Sequence, residues 1–234
     1  MSGSIGLIQT DLARYTVFHK CLLMLAKPVN TDIIYGIGSD FANNRNSVVT
    51  KALDAGSEWV FFIDDDMAFP PDHLLRLLSQ DKPIVASLYT ARSAPWRPIA
   101  YDWISDEQGW DPIDLTQLPG QGLVMVDGAG TGGMLIRTEV FHLMPFPWFE
   151  KTPLGSEDLE FCKKATRLGF EIVVDLEARM GHLTTGAIWP DYTDGQWLNG
   201  VVMADGTAVW LPSHESESVE TVSAKQAVES GRTW

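Results

Sequence analysis

The sequence is poor in cysteine, in positive charge and in long apolar runs, and each shortage excludes something. Cys21 and Cys162 are the only cysteines and lie far apart. They allow no disulfide framework and no Cys-x-x-Cys metal cluster, and both read as reduced core residues of a cytosolic protein. Lys and Arg number 17 against 31 Asp and Glu, a formal net charge of −14. A chain this acidic has no general attraction to nucleic acid or anionic lipid, and no Lys/Arg run supplies a local exception. No stretch approaches the roughly 18 apolar residues of a membrane-spanning helix. Residues 1–10 lack the basic start and apolar run of a secretion signal. The expectation is a soluble, cytoplasmic protein without a membrane partner, and no internal repeat is visible.

What is present suits one globular domain. The chain has 234 residues, 45% hydrophobic and 21% charged, enough to bury a core and too few for two full domains. Nine Trp suggest large aromatic surfaces inside the fold or around a pocket.

Strand and helix patterns alternate. Ile5 to Gln9 reads as a first strand. Asp11 to Ala26 reads as a helix, because Leu12, Tyr15, Phe18, Leu22 and Leu25 recur at spacings of three and four. Asp32 to Ile37 is a second strand, and Asn43 to Ala55 a helix with Asn as its cap. Trp59 to Ile63 is a continuous apolar run, the pattern of a strand buried on both faces. A helix from Asp72 to Ser79 and a strand from Pro83 to Leu88 follow. Val124 to Val126 and Gly133 to Ile136 read as strands around a glycine-rich turn, Ser156 to Leu168 as a helix and Phe170 to Asp175 as a strand. This alternation predicts an α/β fold with a mostly parallel central sheet. Residues 89–118, rich in Pro and Trp, read as an irregular insertion or an antiparallel excursion. After Trp189 the pattern weakens, and the Ser/Glu/Thr-rich composition from His214 onward predicts a mobile end. The expected division is a catalytic domain over 1–190 and a C-terminal extension over 191–234.

Several clusters could carry chemistry. Asp64-Asp65-Asp66 closes the buried strand. In an open α/β sheet, ligands gather at the carboxyl ends of the strands. Carboxylates at i and i+2 on extended chain point the same way, so Asp64 and Asp66 can face one ligand, and hard oxygen donors suit Mg²⁺ or Mn²⁺. A plain polar turn would need only one of the three. Asp127 to Gly133 holds glycines 128, 130, 132 and 133. They allow close backbone approach to a ligand, or simply a flexible hairpin. Because a strand follows, this is not a dinucleotide fingerprint. Ser156-Glu157-Asp158 opens a helix, where acidic residues suit the dipole. Asp158 also shares the phase of Phe161, Cys162 and Ala165, while Glu157 lies toward the edge of that face. An inward carboxylate there is a candidate general base. His182 is either structural or a third ligand beside Asp66. Arg45 is placed for a phosphate or a base.

In this order the residues resemble the GT-A class of nucleotide-sugar glycosyltransferases, in its broad family-2-like group. The resemblance rests on Arg45-Asn46 before a helix, FIDDDM at 62–67 as a DxD motif with Phe69-Pro70-Pro71 after it, GMLIR at 133–137, Ser156-Glu157-Asp158 in the place of an xED motif, and His182 downstream. It spans residues 5 to 185 and implies a single GT-A, Rossmann-like domain. It further implies a donor site formed by Arg45, Asn46, Asp64, Asp65, Gly128, Gly130, Gly132 and Glu157. Mn²⁺ or Mg²⁺ would sit on Asp64, Asp66 and His182, and Asp158 would deprotonate the acceptor in an inverting transfer, with a UDP-sugar as the foremost donor. The first strand departs from the family by lacking its Pro-x-Tyr/Phe-Asn segment, which bears on nucleotide contacts at Thr10 and Asp11.

The FIDDDMAFPPD stretch is also similar to glycosyltransferases encoded by bacteriophages. That resemblance implies an acceptor such as a 5-hydroxymethylpyrimidine in phage DNA, with Arg92 and Arg97 on phosphates and Trp96 and Trp103 against a flipped base. The alternatives are a saccharide, lipid or protein acceptor, or a non-catalytic nucleotide-sugar-binding domain. The last would be expected to have lost Asp66 or Asp158. A nucleotidyltransferase would need a glycine-rich, basic loop after the first strand, and Ile8 to Leu12 is no such loop.

Overall fold

The computed structural model describes residues 2–9, 15–92, 96–153, 155–184, 186–203, 208–212 and 220–222. In chain order these form β1 (Gly3–Gln9), α1 (Thr16–Met24), β2 (Thr31–Ile37), α2 (Phe41–Asp54), β3 (Trp59–Asp64), β4 (Met67–Ala68), α3 (His73–Ser79), β5 (Ile84–Leu88), β6 (Ala100–Ser105) and β7 (Gly109–Pro112). There follow a 3-10 turn (Leu115–Gln117), β8 (Leu123–Val126), β9 (Gly128–Ala129), β10 (Gly133–Arg137), α4 (Thr138–Leu143) and α5 (Glu157–Arg167). The last described elements are β11 (Ile172–Arg179), β12 (Gly181–Leu183), β13 (Gly186–Thr193), β14 (Gln196–Met203), β15 (Ala208–Pro212) and β16 (Glu220–Val222).

The central sheet has the order β2-β1-β3-β10-β5-β11-β8. It is the mostly parallel α/β sheet expected: β1 pairs in parallel with β2 and β3, and β11 with β5. β10 runs antiparallel between β3 and β5, and β8 antiparallel at the edge. The alternation of β3 shows why its apolar run is unbroken. Val60 and Phe62 enter one core with Val48, Val49 and Phe161, from α2 and α5. Trp59, Phe61 and Ile63 enter the other with Phe18 and Leu74, from α1 and α3. Each buried side chain of that size contributes about 1.5–3 kcal/mol, so a polar residue anywhere along β3 would be costly.

Both cysteines are free and buried, as expected. Burial pushes the Cys162 thiol up to about 12, which makes it unreactive. Among the described residues, no helix is long and apolar enough to cross a membrane.

The structure changes several local expectations. α2 begins at Phe41, and its cap is Asp40 rather than an Asn: the Asp40 carboxylate accepts from the Asn43 N–H at 3.0 Å. α1 begins at Thr16; the earlier start at Asp11, like Thr10 itself, lies outside the described residues. For residues 89–118 the antiparallel excursion, not the irregular insertion, is what the structure has: β6 and β7 form an antiparallel hairpin that pairs with β9. Beyond Trp189 the chain continues as strands, in a second sheet ordered β16-β15-β14-β13-β12-β4. Asp194 and Gly195, both at positive φ (53° and 80°), turn β13 into β14 with Thr193 opposite Gln196. That is the geometry Asp-Gly favours in a two-residue hairpin. The mobile end expected from His214 falls almost wholly outside the described residues.

α3 docks through His73, which is 1% exposed and hydrogen-bonded through Nε2 to Ser87 Oγ at 2.8 Å. Burial pushes its imidazole down to about 4, against the pull of Asp175 and Asp72. As the pH falls, the unfolded chain therefore takes up this proton before the folded one does. Stability is complete above pH 6.5 and is lost as pH falls toward 4. His73→Gln keeps a hydrogen-bonding amide and removes the titration. Urea denaturation at pH 7 and pH 4.5 should show the wild type losing on the order of 2 kcal/mol more than the variant. Equal losses would contradict the buried neutral histidine.

Candidate active site

One edge of the central sheet collects the expected residues. The carboxyl ends of β3 and β5 and the amino end of the antiparallel β10 all meet there. β3 delivers Asp64, β5 leads into Tyr89 and Thr90, and β10 is entered through Thr131 and Gly132. The Asp64 N–H donates to the Gly132 carbonyl at 3.3 Å and locks the two segments together.

Arg45 lies at the centre of this edge. It is 4% exposed, projected from the first turn of α2. Its Nε donates to Thr131 Oγ1 at 2.6 Å and its Nη2 to Asp64 Oδ1 at 3.3 Å. Glu157 Oε1 is 3.7 Å from the same Nη2. One guanidinium thus ties the DxD strand, the glycine loop and the start of α5. Its Nη1 is buried and has no hydrogen-bond partner among the described residues. Glu157 is drawn toward Arg45, with 14% of its side chain exposed, rather than left at the edge of its helical face.

Asp64 keeps 32% of its side-chain surface, open toward the cleft. Burial pushes its carboxyl up to about 6, against the pull of Arg45, with Asp66 and Asp158 adding to the rise. Asp66 is more enclosed, at 17%. Burial alone would raise its carboxyl. The hydrogen bond and charge of His182, together with Arg92, outweigh burial and hold it below the ordinary value. Asp65 between them is buried.

His182 is not in a loop. It lies in β12, opposite Met67 of β4, and this pairing brings it next to Asp66, with Nε2 3.4 Å from Oδ2. Its Nδ1 is 2.8 Å from the Thr90 carbonyl. A carbonyl only accepts, so Nδ1 donates there and Nε2 faces Asp66, to which it donates when the ring is protonated. When the ring is neutral, Nε2 is the nitrogen a metal-binding histidine uses. Arg92 Nη1 sits 2.9 Å from the same Asp66 oxygen. Among the described residues, no three His, Cys, Asp or Glu side chains converge as a ready metal cage. Asp66 and His182 form a two-donor fragment of fitting chemistry, with Asp64 beside it engaged by Arg45.

Asp158 is half-buried at the start of α5. Its Oδ1 is hydrogen-bonded to Ser156 Oγ and accepts the Leu159 N–H at 2.9 Å. Its charge is felt at Asp64, Tyr89 and Tyr101, so it belongs to the same group of interacting charges. Phe161, Cys162 and Ala165 of its expected face are buried, whereas Leu168 is 45% exposed.

The glycines divide. A Cβ at Gly128 would meet the Trp110 ring at 2.7 Å, and one at Gly130 would meet Tyr89 Oη at 2.2 Å. Both are glycine because protein rings fill the space. At Gly132 the neighbours would be Tyr89 Oη at 3.0 Å and Asp64 Oδ2 at 3.2 Å, so Gly132 keeps the floor beside Asp64 low.

Other expected residues fall elsewhere. The Asn46 amide is occupied by the main chain of Phe149, donating to its carbonyl at 2.8 Å and accepting its N–H at 3.0 Å. It anchors that segment to α2. Arg97 is exposed and Trp96 half-buried. Trp103 packs edge-on to Trp110 at 5.0 Å, with Lys163 Nζ 3.8 Å over its ring. Of the expected acceptor group, only Arg92 reaches the carboxylates.

Sequence reasoning missed Tyr89, Thr90 and Thr131. The Tyr89 hydroxyl accepts the Gly132 N–H at 3.2 Å, and its ring lies edge-on to His182 at 5.7 Å. Burial pushes its phenol well above the ordinary value, with Asp64 and Asp158 adding to the rise, so it stays protonated. The available signal was its position, directly after an apolar strand at the ligand-binding edge of the sheet.

No protein-family model matches the chain, and no curated protein matches it in sequence. Solved structures do. The crystal structure of A197 from STIV superposes with a TM-score of 0.55 at 13% identity, over 92% of this chain and 97% of that one. The crystal structure of GalNAc-T7 with UDP, GalNAc and Mn²⁺ superposes with a TM-score of 0.55 at 11% identity. It covers 79% of this chain, which spans 44% of GalNAc-T7. At these identities the likeness concerns the fold: a single Rossmann-like α/β domain of the GT-A type.

Removing Arg45 leaves Asp64 and Glu157 without their shared countercharge. Arg45→Met should cost roughly 2–3 kcal/mol in urea denaturation, less than a fully buried pair because Asp64 is partly exposed. Arg45→Lys should recover less than half of that, since one ammonium cannot span Thr131, Asp64 and Glu157 together. A loss below about 0.5 kcal/mol for Arg45→Met would show that the carboxylates do not depend on it.

Proposed function

We propose that this chain is a metal-dependent glycosyltransferase that moves a sugar from a nucleoside diphosphate sugar, foremost a UDP-sugar, to an acceptor hydroxyl, inverting the anomeric carbon. The observation that carries the proposal is that Asp66, His182 and Asp158 all act electrostatically on Asp64, at the carboxyl end of β3 in the central sheet. The GT-A-type fold and the UDP and Mn²⁺ bound by GalNAc-T7 support the same reading.

Asp66 and His182 would hold Mn²⁺ or Mg²⁺, with Asp64 beside them. When bound, the cation supplies positive charge for the departing diphosphate. The need is electrostatic: Asp64, Asp66, Glu157 and Asp158 surround the cleft, and a diphosphate cannot approach so many carboxylates without added cations. Arg45 keeps Asp64 and Glu157 in place. Gly132 and the protonated Tyr89 form a close-fitting floor for the transferred sugar. Asp158 takes the proton of the acceptor hydroxyl as that oxygen attacks the anomeric carbon.

The acceptor we propose is a neutral hydroxyl compound, a saccharide, lipid or protein, rather than hydroxymethylated DNA. The β6–β7 hairpin flanking the glycine loop carries Asp102, Asp106, Glu107 and Asp111, with no Lys or Arg between Pro98 and Pro112. Arg92 is engaged by Asp66, and Trp103, half-buried, packs on Trp110 with Lys163 over its ring. Such a surface repels a polyanion.

Asp158→Asn keeps the shape and removes the basicity. It should bind donor nearly normally and lose transfer by at least about a hundredfold. Glu157→Gln should keep transfer within about tenfold, because it gives up only a long ion pair to Arg45. If Glu157→Gln is the dead variant and Asp158→Asn the active one, the base is misassigned. The product's anomeric proton, read by NMR, should show the configuration opposite to the donor's. Retention would sink the single-displacement mechanism.

A further inference from the structure

Arg92 is where the structure departs furthest from its sequence-based role. It stood as a phosphate contact for an acceptor. Instead its guanidinium lies 2.9 Å from Asp66 Oδ2, the oxygen that His182 Nε2 approaches to 3.4 Å. Two features make this contact informative. Asp66 Oδ2 is the oxygen on which both groups converge: it pairs with the Arg92 guanidinium, and it accepts from His182 when Nε2 carries a proton. The Arg92 side chain is also 52% exposed, whereas Asp66 is 17% exposed. The carboxylate is therefore fixed in the protein, and the arginine can leave it.

Resting on the proposed metal-dependent reading, we propose that Arg92 is an exchangeable cation of the donor site: it neutralises Asp66 in the free protein, yields Asp66 to the divalent cation, and then serves the donor's diphosphate. The charges favour the exchange. A divalent ion held by Asp66 and His182 would repel the guanidinium, and the diphosphate of a donor would then be an anion for it to pair with. Arginine suits that partner, since its planar fork matches phosphate oxygens. Arg92 thus delays metal uptake while no donor is present and strengthens nucleotide binding once metal is in place.

The test measures binding, not turnover, on the full chain. Mn²⁺ alone is titrated into wild type and Arg92→Gln while free Mn²⁺ is followed by electron paramagnetic resonance. UDP is then titrated by calorimetry at saturating Mn²⁺. Without nucleotide, Arg92→Gln should bind Mn²⁺ about threefold more tightly, the scale of a partly exposed ion pair. With Mn²⁺ present it should bind UDP about tenfold more weakly, the scale of one charge-assisted hydrogen bond. Arg92→Lys should fall between on both readouts, and the exposed Arg167→Gln should alter neither. If Mn²⁺ binds wild type and Arg92→Gln equally, the competition is wrong. If UDP affinity is unchanged, the transfer to diphosphate is wrong. If Mn²⁺ binds neither protein, or Asp66→Asn binds it as well as wild type, the metal reading itself fails and this inference fails with it.

Discussion

A buried arginine held among carboxylates is the constraint on which the rest of the site depends. Arg45 cannot lose its charge, so the interior must supply partners, and it does so from three separate stretches: Asp64, Thr131 and Glu157. Those three contacts fix the end of β3, the entry to β10 and the start of α5 relative to each other. The cost of burying the charge is offset by geometry that a ligand can use. The same constraint explains why the end of β3 can be so acidic, since an aspartate that burial alone would neutralise is held within reach of a fixed positive charge.

The second controlling feature is an imbalance of sign. Asp64, Asp66, Glu157 and Asp158 outnumber Arg45 and Arg92, and His182 Nε2 lies 3.4 Å from Asp66 Oδ2. On the proposed reading, a cation from outside would make up the difference. The acidic β6–β7 hairpin extends the same sign over the neighbouring surface. The proposed diphosphate-bearing donor and uncharged acceptor rest on this electrostatic pattern more than on shape.

Much of this was legible in the sequence because it is locally encoded. The doubly buried β3 is written as an unbroken apolar run ending in carboxylates, and the inward face of α5 as a 3.6-residue rhythm. Their positions in the fold follow from the rule that α/β sheets bind ligands at one edge. The illegible parts depend on distant residues. Nothing near Arg45 announces that Thr131 and Glu157 will surround it, so it read as a surface phosphate ligand. Arg92 read as an acceptor contact because Asp66 is far from it in sequence. Asn46 read as part of a donor site, although its amide is spent on Phe149. The glycines read as space for a ligand, although Trp110 and Tyr89 take the space at Gly128 and Gly130. The second sheet was missed because its strands interleave Pro, Asp, Asn and Gly with aromatic residues and show no clean period. Asp194-Gly195 was the overlooked local signal, a hairpin turn between Tyr192 and Trp197.

The central claim is that this cleft binds a nucleotide sugar with the help of a divalent cation. The most direct measurement is a thermal-unfolding panel of nucleotide sugars with and without Mn²⁺, with EDTA as the reverse control. The account predicts that one donor, a UDP-sugar foremost, stabilises the protein in Mn²⁺, by about 2.7 kcal/mol at 100 times its dissociation constant, and that EDTA abolishes the gain. A panel in which no nucleotide sugar shifts the transition in Mn²⁺, or in which the shift survives EDTA unchanged, would contradict it.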